Sequence, residues 1–426
     1  MDNMTLALIL FALTYIGLLV FAKYRAYIAL CSAALFVVFG IMPLSKVFSA
    51  VDWNVIMMIA GTMGTVALFI ESRMPAKLAD MIIDKTPNMK WTIVALSLFA
   101  GVISAFVDNV ATVLMVAPVA LGIAKKLKIS PVPSIIAISI ASNLQGAATL
   151  VGDTTSILLG GAANMNFLDF FFLNGKVGMF WIVQIAFIAA TFVLLFIFRK
   201  DNQPIKNDDR AEVSDYFPTW LLLGTIVLLI LASFIPADQK PEVANGLICM
   251  GIFVIGLLRQ IILKGNMDSV KNALKEIDYF TLLLLSGLFI VIGAITEAGV
   301  VDKIAEIFVS ISGGNLFAIY TLLLWASVIL SAFIDNIPYV ATMLPVVTGI
   351  ATAMGVSPYL LYFGLLAGAT LGGNLTPIGA SANIAGLGIL RKDGHEVSAG
   401  TFMKMSIPYT LIAVVTGYVL IWFIWA

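Results

Sequence analysis

The hexapeptide Ser104-Ala105-Phe106-Val107-Asp108-Asn109 returns 227 positions later as Ser331-Ala332-Phe333-Ile334-Asp335-Asn336. Each copy places a carboxylate and an amide inside a long apolar tract. The same offset carries Pro118 to Pro345, Gly146 to Gly373, Thr149 to Thr376 and Gly152 to Gly379. Spacing held constant over more than 40 residues marks an ancient duplication. Two large repeats in an apolar chain are the pattern of a solute carrier, whose site lies where the halves meet.

The apolar setting is a bilayer. The chain is 61% hydrophobic and 11% charged, with a mean hydropathy of +1.05, where a soluble chain carries about a quarter charged residues. Its zero formal charge argues against a nucleic-acid partner, which requires a basic face. Cys31 and Cys249 stand alone in apolar runs, so neither a disulfide scaffold nor a zinc site is implied, and both read as small core residues. His395, beside Asp393 and Glu396 in a polar loop, reads as solvated surface. No positive leader or small-residue cleavage site precedes the first apolar run, so that run is expected to remain as a span.

Runs of spanning length, about 17–25 residues, fall near 4–21, 26–42, 53–70, 177–198, 217–235, 243–262, 279–296 and 403–425. Two further regions, 91–161 and 315–390, are apolar but interrupted. In each, two helical runs meet at the Asp-Asn, and a tract split by Gly, Thr and Asn follows. The pairs read as re-entrant hairpins, 91–124 and 315–353, and the split tracts as broken helices, 131–162 and 358–390. Non-helical backbone at membrane depth persists only where protein or a water-filled cavity covers it, so each break marks a site. Asp52 and Glu71 bracket one span and Asp278 and Glu297 another, and all four read as interfacial caps.

Charge sorts the ends. If each hairpin returns to the side it came from, Lys46, Lys176, Lys240 and Lys303 share the face of both termini, leaving 20 of the 24 Lys and Arg on the other. The positive-inside rule makes that other face cytoplasmic and puts both termini outside the plasma (inner) membrane. The first half crosses an odd number of times, so the halves are inverted in topology. The expected organisation is a first repeat over 1–198, a polar cytoplasmic linker at 199–216 and a second repeat over 217–426. The fold class is an all-α polytopic membrane protein with two inverted repeats. The partners are the bilayer and a small polar solute or anion, and the chain is compatible with a homodimer.

Three carboxylates lie at depth: Asp108, Asp153 and Asp335. An ionised acid at the bilayer centre costs about 2.5–3.5 kcal/mol on insertion scales, so such a residue is a functional candidate by default. The alternative is a neutral, hydrogen-bonded aspartic acid joining two hairpins. Asp108-Asn109 and Asp335-Asn336 supply hard oxygen ligands that suit Na⁺ or a proton, and a carboxyl drawn out of water exchanges a proton near neutral pH more readily. The breaks, with Asn143, Gly146, Thr149, Gly152, Asp153, Thr154 and Thr155 in the first and Gly373, Asn374, Thr376, Gly379, Ser381 and Asn383 in the second, complete the candidate substrate and ion site. Glycine lets backbone approach a ligand, and Asp153, Thr154, Thr155 and Ser381 are N-cap types for the half-helix that follows, whose free N–H groups favour an anion or hydroxyl. The alternative for the breaks is a pair of closely packed, Gly-kinked helices. Asp153 has no mirror, its partner position being Ala380. Either it or the Asp-Asn pair can be the titrating group. No catalytic motif, cofactor or structural metal is expected.

At these motifs the chain resembles the ion-transporter superfamily that includes arsenite/antimonite efflux pumps of the ArsB type, NhaD-type sodium/proton antiporters, citrate permeases and divalent-anion/sodium symporters. The resemblance covers nearly the full length. It implies scaffold helices, two hairpins, two broken helices, an elevator-like movement, and binding at tips and breaks. Gly152-Asp153-Thr154-Thr155-Ser156 is closer to the antiporters than to the Gly-Asp-Pro-Pro-Asn of many relatives. The stretch from Thr376 to Asn383 is similar to the efflux-pump and citrate patterns. Asp108-Asn109-Val110 stands where the symporters have Ser-Asn-Thr. No cysteine is at hand to hold arsenic, so arsenite would be met as a neutral trihydroxy solute. The leading expectation is a secondary transporter, coupled to H⁺ or Na⁺, of a small inorganic or organic anion, with arsenite-type efflux as the first substrate class. The alternatives are Na⁺/H⁺ exchange and citrate or dicarboxylate permeation.

Overall fold

The computed structural model describes residues 2–205, 211–236 and 238–426. The first half runs α1 (Asn3–Val20), α2 (Arg25–Val38), α3 (Leu44–Ala50), α4 (Trp53–Glu71), α5 (Met74–Ile83), α6 (Met89–Ser104), α7 (Asn109–Leu127), α8 (Val132–Gln145), α9 (Thr154–Ala162) and α10 (Met179–Ile197). The second runs α11 (Phe217–Ala232), α12 (Ala244–Ile262), α13 (Met267–Lys275), α14 (Tyr279–Glu297), α15 (Val300–Ile311), α16 (Leu316–Ser331), α17 (Asn336–Met354), α18 (Tyr359–Gly372), α19 (Ser381–Lys392) and α20 (Ala399–Trp425). A two-residue ribbon turns through Asn174 and Gly175, both left-handed, between Phe172–Leu173 and Lys176–Val177. Lys206, Asp208, Asp209 and Arg210 of the expected linker lie outside the described residues.

The duplication is exact in the backbone. Adding 227 to the ends of α6, α7 and α8 gives the ends of α16, α17 and α18. The reason is local chemistry repeated: Asn88 and Asn315 cap α6 and α16, and Asp108 and Asp335 cap α7 and α17, each side-chain oxygen accepting from a first-turn N–H. Lys128 and Gly355 close the hairpins in the left-handed region, with φ of 55° and 65°. Among the described residues, eight helices are long and apolar enough to cross a membrane: α1, α4, α7, α10, α12, α14, α17 and α20. The expected spans at 26–42 and 217–235 form shorter helices, α2 of 14 residues and α11 of 16, because the helices stop at Val38 and Ala232 while the apolar run continues, and the hairpin arms α7 and α17 reach spanning length instead. Helices α3, α5, α13 and α15 are short additions that the span pattern does not reveal, and α15 meets α16 at 115°.

The outer helices pair across the repeats, α4 on α12 and α2 on α14, while α6 packs on α8 and α16 on α18. Gly61 and Gly287 make the first two pairings close: a Cβ would stand 2.4 Å from the Cys249 carbonyl carbon and 2.7 Å from that of Ala29. Cys249 is buried in this contact, but Cys31 is exposed on α2 and is not a core residue. An apolar helix facing lipid has the same composition as one facing protein, which is why sequence could not separate them. At the helix ends, Lys46 pairs with Glu297 at 2.7 Å and Lys176 lies over Trp425, while Ser269 bonds Glu71 at 2.7 Å and Arg259 pairs with Asp215.

Candidate functional site

Each hairpin tip is one helix ending and another beginning on an aspartate. Asp108 Oδ2 accepts from the N–H of Val110 at 3.0 Å and of Ala111 at 3.1 Å, and Asp335 Oδ1 accepts from Ile337 at 3.1 Å. Capping thus uses one oxygen of each carboxylate. The tips dock on the breaks by matched bonds, Thr149 Oγ1 donating to the Ala105 carbonyl and Thr376 Oγ1 to that of Ala332. Gly152 and Gly379 let the chains touch there. A Cβ on Gly152 would lie 2.8 Å from the Gly146 oxygen and 3.0 Å from the Ala105 oxygen, and at Gly379 the Gly373 and Ala332 oxygens would be at 2.6 and 2.8 Å. Ser156 Oγ donates to the Gly146 carbonyl at 2.9 Å, and its mirror Asn383 Nδ2 donates to that of Gly373 at 3.2 Å.

The two breaks are also tied to each other. Asn143 Nδ2 donates to the Thr370 carbonyl at 2.8 Å and Asn374 Nδ2 to that of Ile140 at 2.9 Å, while the Thr155 and Thr370 hydroxyls meet at 2.9 Å. Asn109 Nδ2 joins them through Asn143 Oδ1 at 3.0 Å. The half-helix after the first break is capped by Asp153, which accepts from the Thr154 N–H at 2.8 Å and the Thr155 hydroxyl at 2.9 Å. In the second copy the cap position is Ala380, with Ser381 already inside α19. Ser381, Thr154 and Thr155 are therefore first-turn residues, not caps, because the chain enters each half-helix one residue earlier than their polarity suggests.

A cavity of about 350 Å³ opens between these parts. Asp108, Asn109, Asp153, Thr154, Asp335, Asn336 and Ser381 line it, so the buried Asp153 and the half-buried Asp108 and Asp335 share one compartment. The other ten candidates, Asn143, Gly146, Thr149, Gly152, Thr155, Gly373, Asn374, Thr376, Gly379 and Asn383, are not on its wall; they hold the tips and breaks in place. Three ionisable residues outside the candidate set also line it: Arg25, Glu276 and Asp278. Asp278 caps α14 as expected, accepting from the Thr281 N–H at 3.0 Å, and faces the cavity as well. Arg25 donates from Nη1 to Asp335 Oδ2 at 3.0 Å, a bond across 310 positions that no local signal announces. The lining therefore carries five carboxylates and one guanidinium. Among the described residues no group of three or more His, Cys, Asp or Glu gathers as a metal site.

Inverted helical repeats, each with a re-entrant hairpin and a broken helix around a cavity, define a membrane transporter rather than an enzyme. The family model for citrate transporters matches residues 7–368, and the chain belongs to that family. An uncharacterized transporter of Mycobacterium tuberculosis is 31% identical over 406 residues, covering 93% of each chain. The human P protein is 24% identical over 468 residues, covering 91% of this chain and 56% of that one. The fold is shared with the YdaH transporter of Alcanivorax borkumensis, at a TM-score of 0.61 and 14% identity over 94% of this chain and 96% of that one. It is also shared with MtrF of Neisseria gonorrhoeae, described within a class of antimetabolite efflux pumps, at 0.57 and 15% over 99% and 94%.

Proposed function

We propose that the protein is a secondary active transporter of a small oxyanion- or carboxylate-bearing solute, coupled to H⁺ or Na⁺. The observation that carries this reading is the convergence of Asp108, Asp335 and Asp153, from the two tips and the first break, on one cavity. Five acids facing one guanidinium make a cavity that holds cations before it holds anions. At an effective dielectric of 20, each uncompensated carboxylate about 10 Å away opposes an entering negative charge by about 2 kcal/mol. An anionic solute thus enters only after the acids have taken up protons or Na⁺, which is coupling. Arsenite, a neutral trihydroxy solute, meets no such barrier and is the first substrate class to test; a citrate-type solute needs its cations with it.

The bonds linking Asn109, Asn143, Thr155, Thr370 and Asn374, with the Thr376 bond to the Ala332 carbonyl, tie the hairpins and broken helices into one body. That supports an elevator-like movement of this body against α1–α4 and α11–α14. With the Lys/Arg-rich face cytoplasmic, the lining residues Arg25, Glu276 and Asp278, at helix ends assigned to that face, support reading this state as inward-open. The five-to-one acid majority also favours a second reading, Na⁺/H⁺ exchange without any anion. Everted vesicles loaded with a pH-sensitive dye separate the two. Proton movement evoked by arsenite or citrate supports the first, and a signal evoked by Na⁺ or Li⁺ with no oxyanion present replaces it with the second.

A further inference from the structure

Arg25 is the one cationic residue lining the cavity. It opens α2 just beyond the end of α1, where its Nε donates to the Leu18 carbonyl at 3.0 Å and fixes the guanidinium at the cavity wall. Nη1 reaches Asp335 Oδ2 at 3.0 Å, with 17% of the Arg25 side chain and 25% of that of Asp335 exposed. These two bonds occupy two of the five N–H groups of a guanidinium. The position 227 residues on is Ile252, so the first tip has no equivalent, and among the described residues Asp108 pairs with no cation.

We propose that Arg25 binds the oxyanion or carboxylate group of the transported solute, with Asp335 as the resident carboxylate that the solute displaces. This rests on the reading that the solute carries such a group. All other ionisable groups on the wall are acids, so Arg25 supplies the one side-chain positive charge that a negative solute meets there. A planar guanidinium takes a carboxylate through two parallel N–H bonds, whereas Asp335 engages it through one, its other oxygen capping α17. Once displaced, Asp335 has lost its counter-ion in an acid-lined cavity and accepts the coupling cation instead. Arg25 and the cation therefore compete for Asp335, and solute binding and cation binding strengthen each other by the same factor.

The test is titration calorimetry on purified full-length protein, with citrate as a carboxylate probe and phosphate as an oxyanion probe. Arg25→Gln is expected to weaken binding about tenfold to a hundredfold, the range for a lost charge-assisted bond, and Arg25→Lys by less. Asp335→Asn is expected to tighten binding by removing the competitor. The double variant should bind no better than Arg25→Gln alone. Unchanged affinity in Arg25→Gln and Arg25→Lys overturns the proposal, as does recovery in the double variant, which would mark the pair as a structural neutralisation only. Wild-type protein that binds neither probe, yet moves protons in response to Na⁺, removes the parent reading and this one with it. Binding that ignores Arg25 removes this one alone.

Discussion

Alanine at Gly152 or Gly379 tests the joint that sets the acids in the cavity. A Cβ at Gly152 would lie 2.8 Å from the Gly146 oxygen, 3.0 Å from that of Ala105 and 3.1 Å from that of Ser104. At Gly379 the matching Gly373, Ala332 and Ser331 oxygens would be at 2.6, 2.8 and 2.8 Å. Carbon and carbonyl oxygen settle at about 3.3–3.6 Å, and all six oxygens are backbone, so no rotamer change relieves the overlap. The tip must retreat by about half an ångström, stretching the Thr149 or Thr376 bond to the same strand of backbone. Overpacking of this kind costs about 1–3 kcal/mol, with Gly379→Ala toward the upper end. Gly122→Ala is the control: it is helical and exposed, meets nothing within 4 Å, and should gain about 0.5–1 kcal/mol. Thermal unfolding in detergent reads the stability, and vesicle transport reads the site. Both joint variants should unfold earlier and lose more transport than their stability loss explains, because Asp108 and Asp335 leave the cavity wall. Wild-type unfolding temperature and transport in both variants would refute the claim that this contact positions the acids.

Asp108→Asn and Asp335→Asn should each fold, since asparagine caps helices as well as aspartate does, but abolish or uncouple ion-driven transport; normal coupled transport in both would remove the coupling role. Asp153→Ala should cost about 1–2 kcal/mol through the lost cap and remain folded, as Ala380 shows for the mirrored break; loss of cation-evoked flux in vesicles then assigns Asp153 to the ion path. Lys128→Gly should raise the unfolding temperature by the equivalent of about 1 kcal/mol, because φ of 55° is strained for a residue with a Cβ. Outside the membrane, burial pushes the Asp215 carboxyl up, but hydrogen bonds from Arg259 and the Phe217 N–H, with the charges of Arg259 and Lys264, outweigh it and hold it below the ordinary 3.8. A depressed carboxylate contributes stability above its unfolded value and loses it as pH falls through the folded one. Proteolysis after residue 198 should therefore quicken below about pH 4, and Asp215→Asn should quicken it at neutral pH.

Local patterning was enough to place the tips, the breaks and six of the eight spans; α2 and α11 stop short of spanning length. The stop before Asp108, the cap it provides and the glycines at 146 and 152 are decisions taken within a few residues, and a second copy 227 positions on repeats each of them. The short helices α3, α5, α13 and α15 escaped because none reaches spanning length. Division of labour among the polar residues also stayed hidden. Thr154 meets the cavity while Thr149 clamps a tip, yet the same residue types serve a ligand and a brace, and only packing tells which way each side chain points. The Arg25–Asp335 pair was beyond the sequence altogether. Its members lie in different repeats, lack a mirrored counterpart, and meet only because α2 packs against α14 beside the second hairpin. Short-range stereochemistry wrote the two hairpins; which charges confront one another inside the cavity depended on how the halves close, since Coulomb attraction acts through space and not along the chain.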